Sequence, residues 1–273
     1  MDEIKKDRNA TAREFSDLWM NLEPRRKKNR IDRAMSVILK ASSEQLELLE
    51  KINNSKGIAK NTGFIYFFST VKNFWDHVEF ACSLGKGKNR RFCCFPARLL
   101  METVLRLEFY VRQNKEEQDK IAIKEILRSC KRYYDRDKVM GRNTDEYIKY
   151  YNQFAKTGTY PDIDHVNPNI EPFPSIKKLT SDSKMNGADR WYFHFQVLAE
   201  STHGKFLAIK MAEQDDLGEY VAAMMNVLLM SNKALLIVNQ HIGNIPKEFR
   251  ESIVKAIKEA ENIIKAPSAK VTA

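Results

Sequence analysis

Apolar side chains recur every three or four residues along most of the chain, a spacing that places them on one side of an α-helix. The pattern predicts helices over about 2–22, 31–52, 62–84, 92–112, 115–137, 144–154, from 189 onward, 217–241 and 247–265. No window alternates apolar and polar residues with a period of two, so we expect no sheet. The sequence therefore predicts an all-α protein, a single helical bundle of about eight or nine helices.

The helical pattern is interrupted once, between residues 156 and 186, where four prolines occur and no helical period remains. A loop of this length inside a compact domain is usually either a lid or disordered. We expect an N-terminal helical pair with a basic cluster over 1–60, a helical core domain over 61–265 that contains this Pro-rich loop, and a disordered tail over 266–273.

The segment Phe92–Arg112 is apolar on nearly every side, and the rest of the chain is expected to pack around it. Its predicted solvent face is a narrow sector of three residues, Met101, Glu108 and Arg112. A second polar stripe has charges four residues apart between apolar neighbours: Arg98, Glu102 and Arg106. Charges in an apolar setting are costly unless they are paired or used, so this stripe is a candidate site.

The positive charge of the chain indicates a candidate partner. The chain has 46 Lys and Arg against 36 Asp and Glu, a net charge of +10. A basic run follows Pro24 and contains Arg25, Arg26, Lys27, Lys28, Arg30 and Arg33. Such runs bind phosphate backbones or simply stay solvated, and no aromatic residue is interleaved here for base stacking. We expect nucleic acid, RNA in particular, as the partner of this cluster, mainly through its first five cations.

The cysteines and the apolar stretches indicate whether the chain is a metal-binding, secreted or membrane protein. The four cysteines show no CxxC or Cys/His ligand spacing, so we expect no metal and no cofactor. The first residues lack the apolar core of a signal peptide, and the uncharged stretch 220–232 is shorter than a membrane span. The expected location is the cytoplasm, without a membrane partner. A protein partner or a homodimer is compatible with the apolar helices.

A second polar concentration follows the loop, with Tyr192, Ser201 and His203. Together with Arg98-x-x-x-Glu102, this segment resembles a bacterial all-helical family of unknown function that has an Arg-x-x-x-Glu helix and a later Tyr…Ser-x-His segment. More distantly it is similar to HEPN-like helical bundles, which include metal-independent RNases of toxin and phage-defence systems. The resemblance implies a nucleic-acid-associated protein with a defence or stress role.

An arginine and a histidine can cleave RNA without metal, because the histidine moves the 2′-OH proton and the arginine stabilises charge on phosphorus. In this hypothesis the catalytic residues are Arg98, Glu102 and His203. The substrate-binding residues are Arg106, Tyr192 and Ser201. The alternative is a non-catalytic helical adaptor, in which a buried Arg–Glu–His network locks core helices in register.

Overall fold

The computed structural model describes residues 19, 21–54, 62–85, 90–155, 160–165, 171–184, 192, 195–196, 198, 216–242 and 245–266. Within these residues the structure is helical and contains no strand, which confirms the all-α prediction. Its eight α-helices are α1 (Pro24–Asn53), α2 (Thr62–Leu84), α3 (Cys94–Val111), α4 (Lys115–Val139), α5 (Asp145–Ala155), α6 (Ile176–Asp182), α7 (Asp216–His241) and α8 (Lys247–Lys265). Most of the predicted first helix and of the tail lie outside the described residues.

Helix α1 begins seven residues before its predicted start at residue 31, so the basic cluster is helical. Pro24 occupies the first helical position, where proline lacks only an N–H that has no helical partner. The backbone carbonyl of Glu23 accepts hydrogen bonds from the N–H groups of Arg26 and Lys27, at 2.9 and 3.0 Å. Pro24, which lies between the two predicted helices 2–22 and 31–52, therefore starts the second of them.

The Pro-rich segment contains helix α6 and a 3₁₀ turn, Ile163–His165. The expectation that it holds no helix is wrong over residues 176–182. Helix α6 is started by Ser175, whose side chain accepts a hydrogen bond of 3.3 Å from the backbone N–H of Lys178. Serine at the N-cap stabilises even a short helix, and apolar periodicity over seven residues is too brief to reveal one.

The chain divides into two compact units. The first comprises Met1–Leu48, Lys72–Val104 and Phe193–Ala273; the second comprises Leu49–Val71 and Leu105–Tyr192. The domain boundary predicted near residue 60 falls inside the second unit. In the first unit, the buried Gln45 side chain of α1 donates a hydrogen bond of 3.2 Å to the carbonyl of Leu235 in α7.

Helix α7 is the apolar centre of the first unit. Its segment Leu217–His241 is the one candidate membrane span among the described residues, by length and hydropathy. However, 67% of its apolar window is buried inside the protein. A core helix passes the same test of length and hydropathy, so this burial favours a core role for α7.

In the second unit, α4 and α5 enclose a cluster that includes Leu127 and Tyr151. The start of α2 is also fixed there, since the Asp119 carboxylate accepts the backbone N–H of Gly63 at 2.9 Å. The Tyr110 hydroxyl donates to the carbonyl of the same glycine at 2.7 Å. The first contact satisfies a backbone N–H that the start of a helix leaves without an intrahelical partner, and the second adds a side-chain donor to a carbonyl of the first turn.

The burial pattern of α3 differs from the prediction. Met101 and Glu108, two members of the expected solvent face, are buried, and this expectation is wrong. Glu108 tolerates burial because its carboxylate accepts hydrogen bonds from the Ser183 hydroxyl at 2.5 Å and the Lys184 N–H at 2.9 Å. Conversely, Phe95 and Leu99 are exposed, although the sequence pattern places them in the core.

Candidate nucleic-acid interface

Helix geometry divides the basic cluster of α1 between two sides. At about 100° per residue, Arg26, Arg30 and Arg33 fall within about 60° of one another. Lys28 projects on a different side, together with Asp32 four residues later. A run of cations that is continuous in sequence therefore becomes a stripe of three arginines on one side of the helix.

Two members of the arginine stripe, Arg30 and Arg33, line a groove of about 680 Å³ in the first unit. Its lining comes from two helices, with Arg30 and Arg33 on α1 and Lys255 and Lys258 on α8. The remaining lining residues are Glu259, Asn262, Ile263 and Ala266. Four cations against one carboxylate give this groove a positive balance of charge, and none of its lining residues is aromatic.

The two helices are joined at one end of the groove by Arg30. Its guanidinium Nη1 donates a hydrogen bond of 3.1 Å to the carbonyl of Ile264. This carbonyl lies in the last turn of α8, where helix carbonyls lack intrahelical partners and cations are favoured. Arg30 therefore has a structural contact. Arg33, Lys255 and Lys258 have no ion pair in the described part of the chain and can all contact a ligand.

The charge at the start of α1 conflicts with helix stability. The first turn contains no acidic residue. Three cations, Arg25, Arg26 and Lys27, lie beside the positive end of the helix macrodipole, where carboxylates are favoured. Such conflicts between local preference and fold are expected at functional sites.

The opposite side of the cluster is packed around Tyr220 of α7. The Lys28 ammonium lies 5.6 Å from the centre of the Tyr220 ring and pairs with Asp32. The Tyr220 hydroxyl is 3.5 Å from the Asp32 carboxylate. Burial, followed by the nearby Asp32 charge, raises the pKa of Tyr220, so this hydroxyl stays protonated. Lys28 therefore contacts Tyr220 and Asp32 within the first unit.

Sequence reasoning did not identify Lys255 and Lys258. Both lie on the exposed side of an amphipathic helix, where lysines are ordinary. Their only sequence signal is that Lys255, Lys258 and the polar Asn262 recur at intervals of three and four. Since they are more than 220 positions from Arg33, only folding could show that they border the same groove.

Of the six site residues predicted from sequence, none that the structure describes lines this groove. Arg98 and Glu102 are half-buried on the part of α3 that belongs to the first unit. The Arg98 guanidinium lies 5.0 Å from the centre of the Phe195 ring. Ser201 and His203 lie outside the described residues. The catalytic roles of Arg98, Glu102 and His203 therefore stay predictions.

Arg106 and Tyr192 belong to the second unit, and both are half-buried. The Arg106 guanidinium is 5.3 Å from the centre of the Phe173 ring, and its Nε is buried. A guanidinium on a buried aromatic face is held by cation–π attraction and by packing of its carbon stem. The substrate-binding role expected for these two residues, and for Ser201, is untested.

No group of three or more histidine, cysteine, aspartate or glutamate side chains suited to a metal ion occurs among the described residues. No family model, no curated protein and no solved structure matches the chain significantly.

Proposed function

We propose that this protein binds nucleic acid, RNA in the first instance, along the groove between α1 and α8. The observation that carries the proposal is the convergence of Arg33, Lys255 and Lys258 in one groove. Arg30, at the groove's end, keeps the two helices together. A net charge of +10 adds long-range attraction for any polyanion.

The spacing of the cations also suits a phosphate backbone. At about 1.5 Å per residue, Arg30 and Arg33 are about 4.5 Å apart along the axis of α1. Phosphates of one strand follow at about 3.4 Å along a duplex, so these two arginines are about one phosphate step apart. Contacts to phosphates carry no base information, and the groove alone is expected to bind without sequence preference.

The resemblance to HEPN-like bundles extends the proposal to a defence or stress role and, in its sharper form, to RNA cleavage by Arg98, Glu102 and His203. The competing candidate is a non-catalytic adaptor. The packing of Arg106 on Phe173 favours a structural role for that member of the charged stripe. A protein that only binds RNA and one that also cleaves it must both bind nucleic acid. Binding is therefore tested first.

The test is fluorescence anisotropy with a labelled RNA, at several salt concentrations. Three groove contacts to a single strand, from Arg33, Lys255 and Lys258, should give a slope of log K against log salt of about −2.1, at about 0.7 per contact. The double variant Lys255→Gln/Lys258→Gln should weaken binding and reduce that slope by about two thirds. Recovery of the RNA at full length would restrict the function to binding.

The matched control is Lys115→Gln/Lys149→Gln, which removes two exposed cations of the second unit and changes the net charge equally. If both double variants weaken binding to the same extent, the groove has no special part and general charge accounts for the affinity. If wild-type protein fails to bind RNA and DNA at low salt, the proposal is wrong.

A further inference from the structure

The two helices that border the groove run in opposite directions. Helices α1 and α7 run the same way, because Asp32 lies beside Tyr220 and, further along both helices, Gln45 lies beside Leu235. Helix α8 contacts α7 and follows it after five residues, 242–246, a connection typical of two antiparallel helices. Helix α8 is therefore antiparallel to α1.

The hydrogen bond between Arg30 and the Ile264 carbonyl sets the register of α1 and α8. At about 1.5 Å per residue, Arg33 lies about 4.5 Å beyond this contact along α1. Because α8 runs the other way, Lys258 and Lys255 lie about 9 and about 13.5 Å beyond it in the same direction. The three cations therefore follow one another along the groove at steps of about 4.5 Å, in the order Arg33, Lys258, Lys255.

This run of three cations is bounded at both ends. At one end lies the last turn of α8, where backbone carbonyls give a partial negative charge. At the other end, the exposed Glu251 lies one turn before Lys255 on the same side of α8. On α1, Lys40 and Glu44 lie on the side of Arg33, but neither lines the groove. The groove therefore offers a short run of positive charge.

Two carboxylates modify the charge along this run. Glu259 is the acidic lining residue of the groove and follows Lys258 directly in the chain. Beyond the run, Glu251 is partly neutralised by the Lys247 ammonium, 3.7 Å away. Glu259 opposes an anionic ligand, yet the lining cations outnumber it. Replacing Glu259 by glutamine should therefore strengthen the binding of RNA.

We infer that the groove holds three consecutive phosphates of one unpaired RNA strand, contacted in order by Arg33, Lys258 and Lys255. Phosphates of one strand are about 3.4 Å apart along a duplex, and an unpaired strand is free to extend toward the longer step of the cations. No lining residue is aromatic, so the bases are expected to point away from the groove. This inference rests on the proposed binding of nucleic acid, and it adds the number and the order of the bound phosphates.

The competing explanation is attraction by general positive charge, without an ordered run. The central position of Lys258 separates the two explanations. A ligand with two phosphates has two ways to occupy the run, either on Arg33 and Lys258 or on Lys258 and Lys255. Lys258 takes part in both arrangements and Lys255 in one. General attraction makes the two lysines equivalent, because their charges are equal.

The experiment measures affinity by NMR titration at several salt concentrations, with uridine oligonucleotides that lack terminal phosphates. The trinucleotide has two phosphates and the tetranucleotide has three. Their slopes of log K against log salt should be about −1.4 and about −2.1, at about 0.7 per contact. A decanucleotide should keep the slope of about −2.1, because its further phosphates meet no other cation of the groove. Its affinity should rise only through the larger number of positions in which it can bind.

The variants test the order of the cations with the trinucleotide. Lys258→Gln should reduce the slope from about −1.4 to about −0.7, since each arrangement loses a contact. Lys255→Gln should keep a slope near −1.4 and weaken binding about twofold, since one of two arrangements remains intact. Lys40→Gln is the matched control, because it removes one exposed cation of the first unit outside the groove. It should bind the trinucleotide like wild type.

Equal slopes for Lys255→Gln and Lys258→Gln with the trinucleotide would overturn the order of contacts. A slope that steepens further from the tetranucleotide to the decanucleotide would overturn the short run. Both results require binding, so they leave the proposed function standing. If none of the three oligonucleotides binds the wild-type protein at low salt, the proposed function fails together with this inference.

Discussion

The Arg106 guanidinium lies 5.3 Å from the centre of the Phe173 ring, in the second unit. Phe173 belongs to the Pro-rich segment, and its buried ring also lies 6.1 Å from the ring of Phe109 and 6.4 Å from that of Tyr66. The segment is further held by Glu171, which forms an ion pair of 3.1 Å with the buried Arg128. The part of the loop that the structure describes over 171–184 is therefore anchored, whereas its sequence predicted a lid or disorder.

Replacing Phe173 by alanine should destabilise the protein by about 3–5 kcal/mol, because it removes a buried aromatic ring and leaves a cavity. Urea denaturation measures the loss, and amide exchange in 176–182 should accelerate as the anchor is removed. Met140→Ala, at a residue that is 57% exposed in the same unit, should change stability by less than about 0.5 kcal/mol. Similar losses in both variants would show that Phe173 is no anchor.

Glu108→Ala should cost about 1–3 kcal/mol, since it leaves the Ser183 hydroxyl and the Lys184 N–H without their acceptor. Glu116→Ala is the matched control, because its carboxylate is mostly exposed and pairs only with Lys120 among the described residues. Denaturation midpoints of the two variants measure the difference. A loss for Glu116→Ala as large as that for Glu108→Ala would contradict the assigned role of the buried carboxylate.

Tyr66 should make stability fall in alkali. Burial, followed by the nearby Glu125 carboxylate, raises the pKa of Tyr66 to about 12. Because this folded-state pKa exceeds the unfolded value of about 10, its contribution is complete below pH 10 and is lost between about pH 10 and 12. The loss should approach about 1.4 kcal/mol per pH unit.

The variant Tyr66→Phe cannot ionise at this position, so its stability should fall less steeply across the same interval. Urea midpoints at a series of pH values give the two slopes, and tyrosinate absorbance reports the titration directly. Parallel curves for the two proteins would show that this hydroxyl ionises as readily in the folded state as in the unfolded one.

Gly85→Ala should destabilise the first unit by about 1–3 kcal/mol through overpacking. A Cβ at this position would lie 2.9 Å from Cε2 of the buried Tyr220 ring and closer still to its hydroxyl. Thermal unfolding measures the effect. In a double-mutant cycle, Gly85→Ala should cost less in a Tyr220→Leu background, where the ring is absent. If the losses of stability caused by Gly85→Ala and Tyr220→Leu are additive, the steric explanation is wrong.

The helices could be predicted from the sequence because apolar periodicity is a local property of the chain. Helices α2 and α8 begin and end where the pattern placed them, and α7 differs by one residue at its start. Short α6 was missed, because its start depends on one serine side chain rather than on a repeated apolar pattern. The start of α1 was missed because Pro24 can either end or begin a helix.

The basic cluster was visible in the sequence, but its division into two sides was not. Lys28 lies near Arg30 in sequence, yet Lys28 packs toward Tyr220 while Arg30 holds the end of α8. The burial of Glu108 and the exposure of Phe95 were likewise misjudged, because a periodic pattern shows which residues share a side but not which partners cover that side.

By itself, the sequence determined that the chain is helical, basic and rich in apolar faces, since these properties follow from residue type and spacing. Only tertiary structure decided which charged side chains contact other groups of the protein and which line the groove. Arg33 and Lys258 border one groove because two helices distant in sequence pack together, and Glu108 is buried because its carboxylate meets Ser183 and Lys184. Packing between distant segments depends on complementary surfaces, and local spacing carries no record of those surfaces.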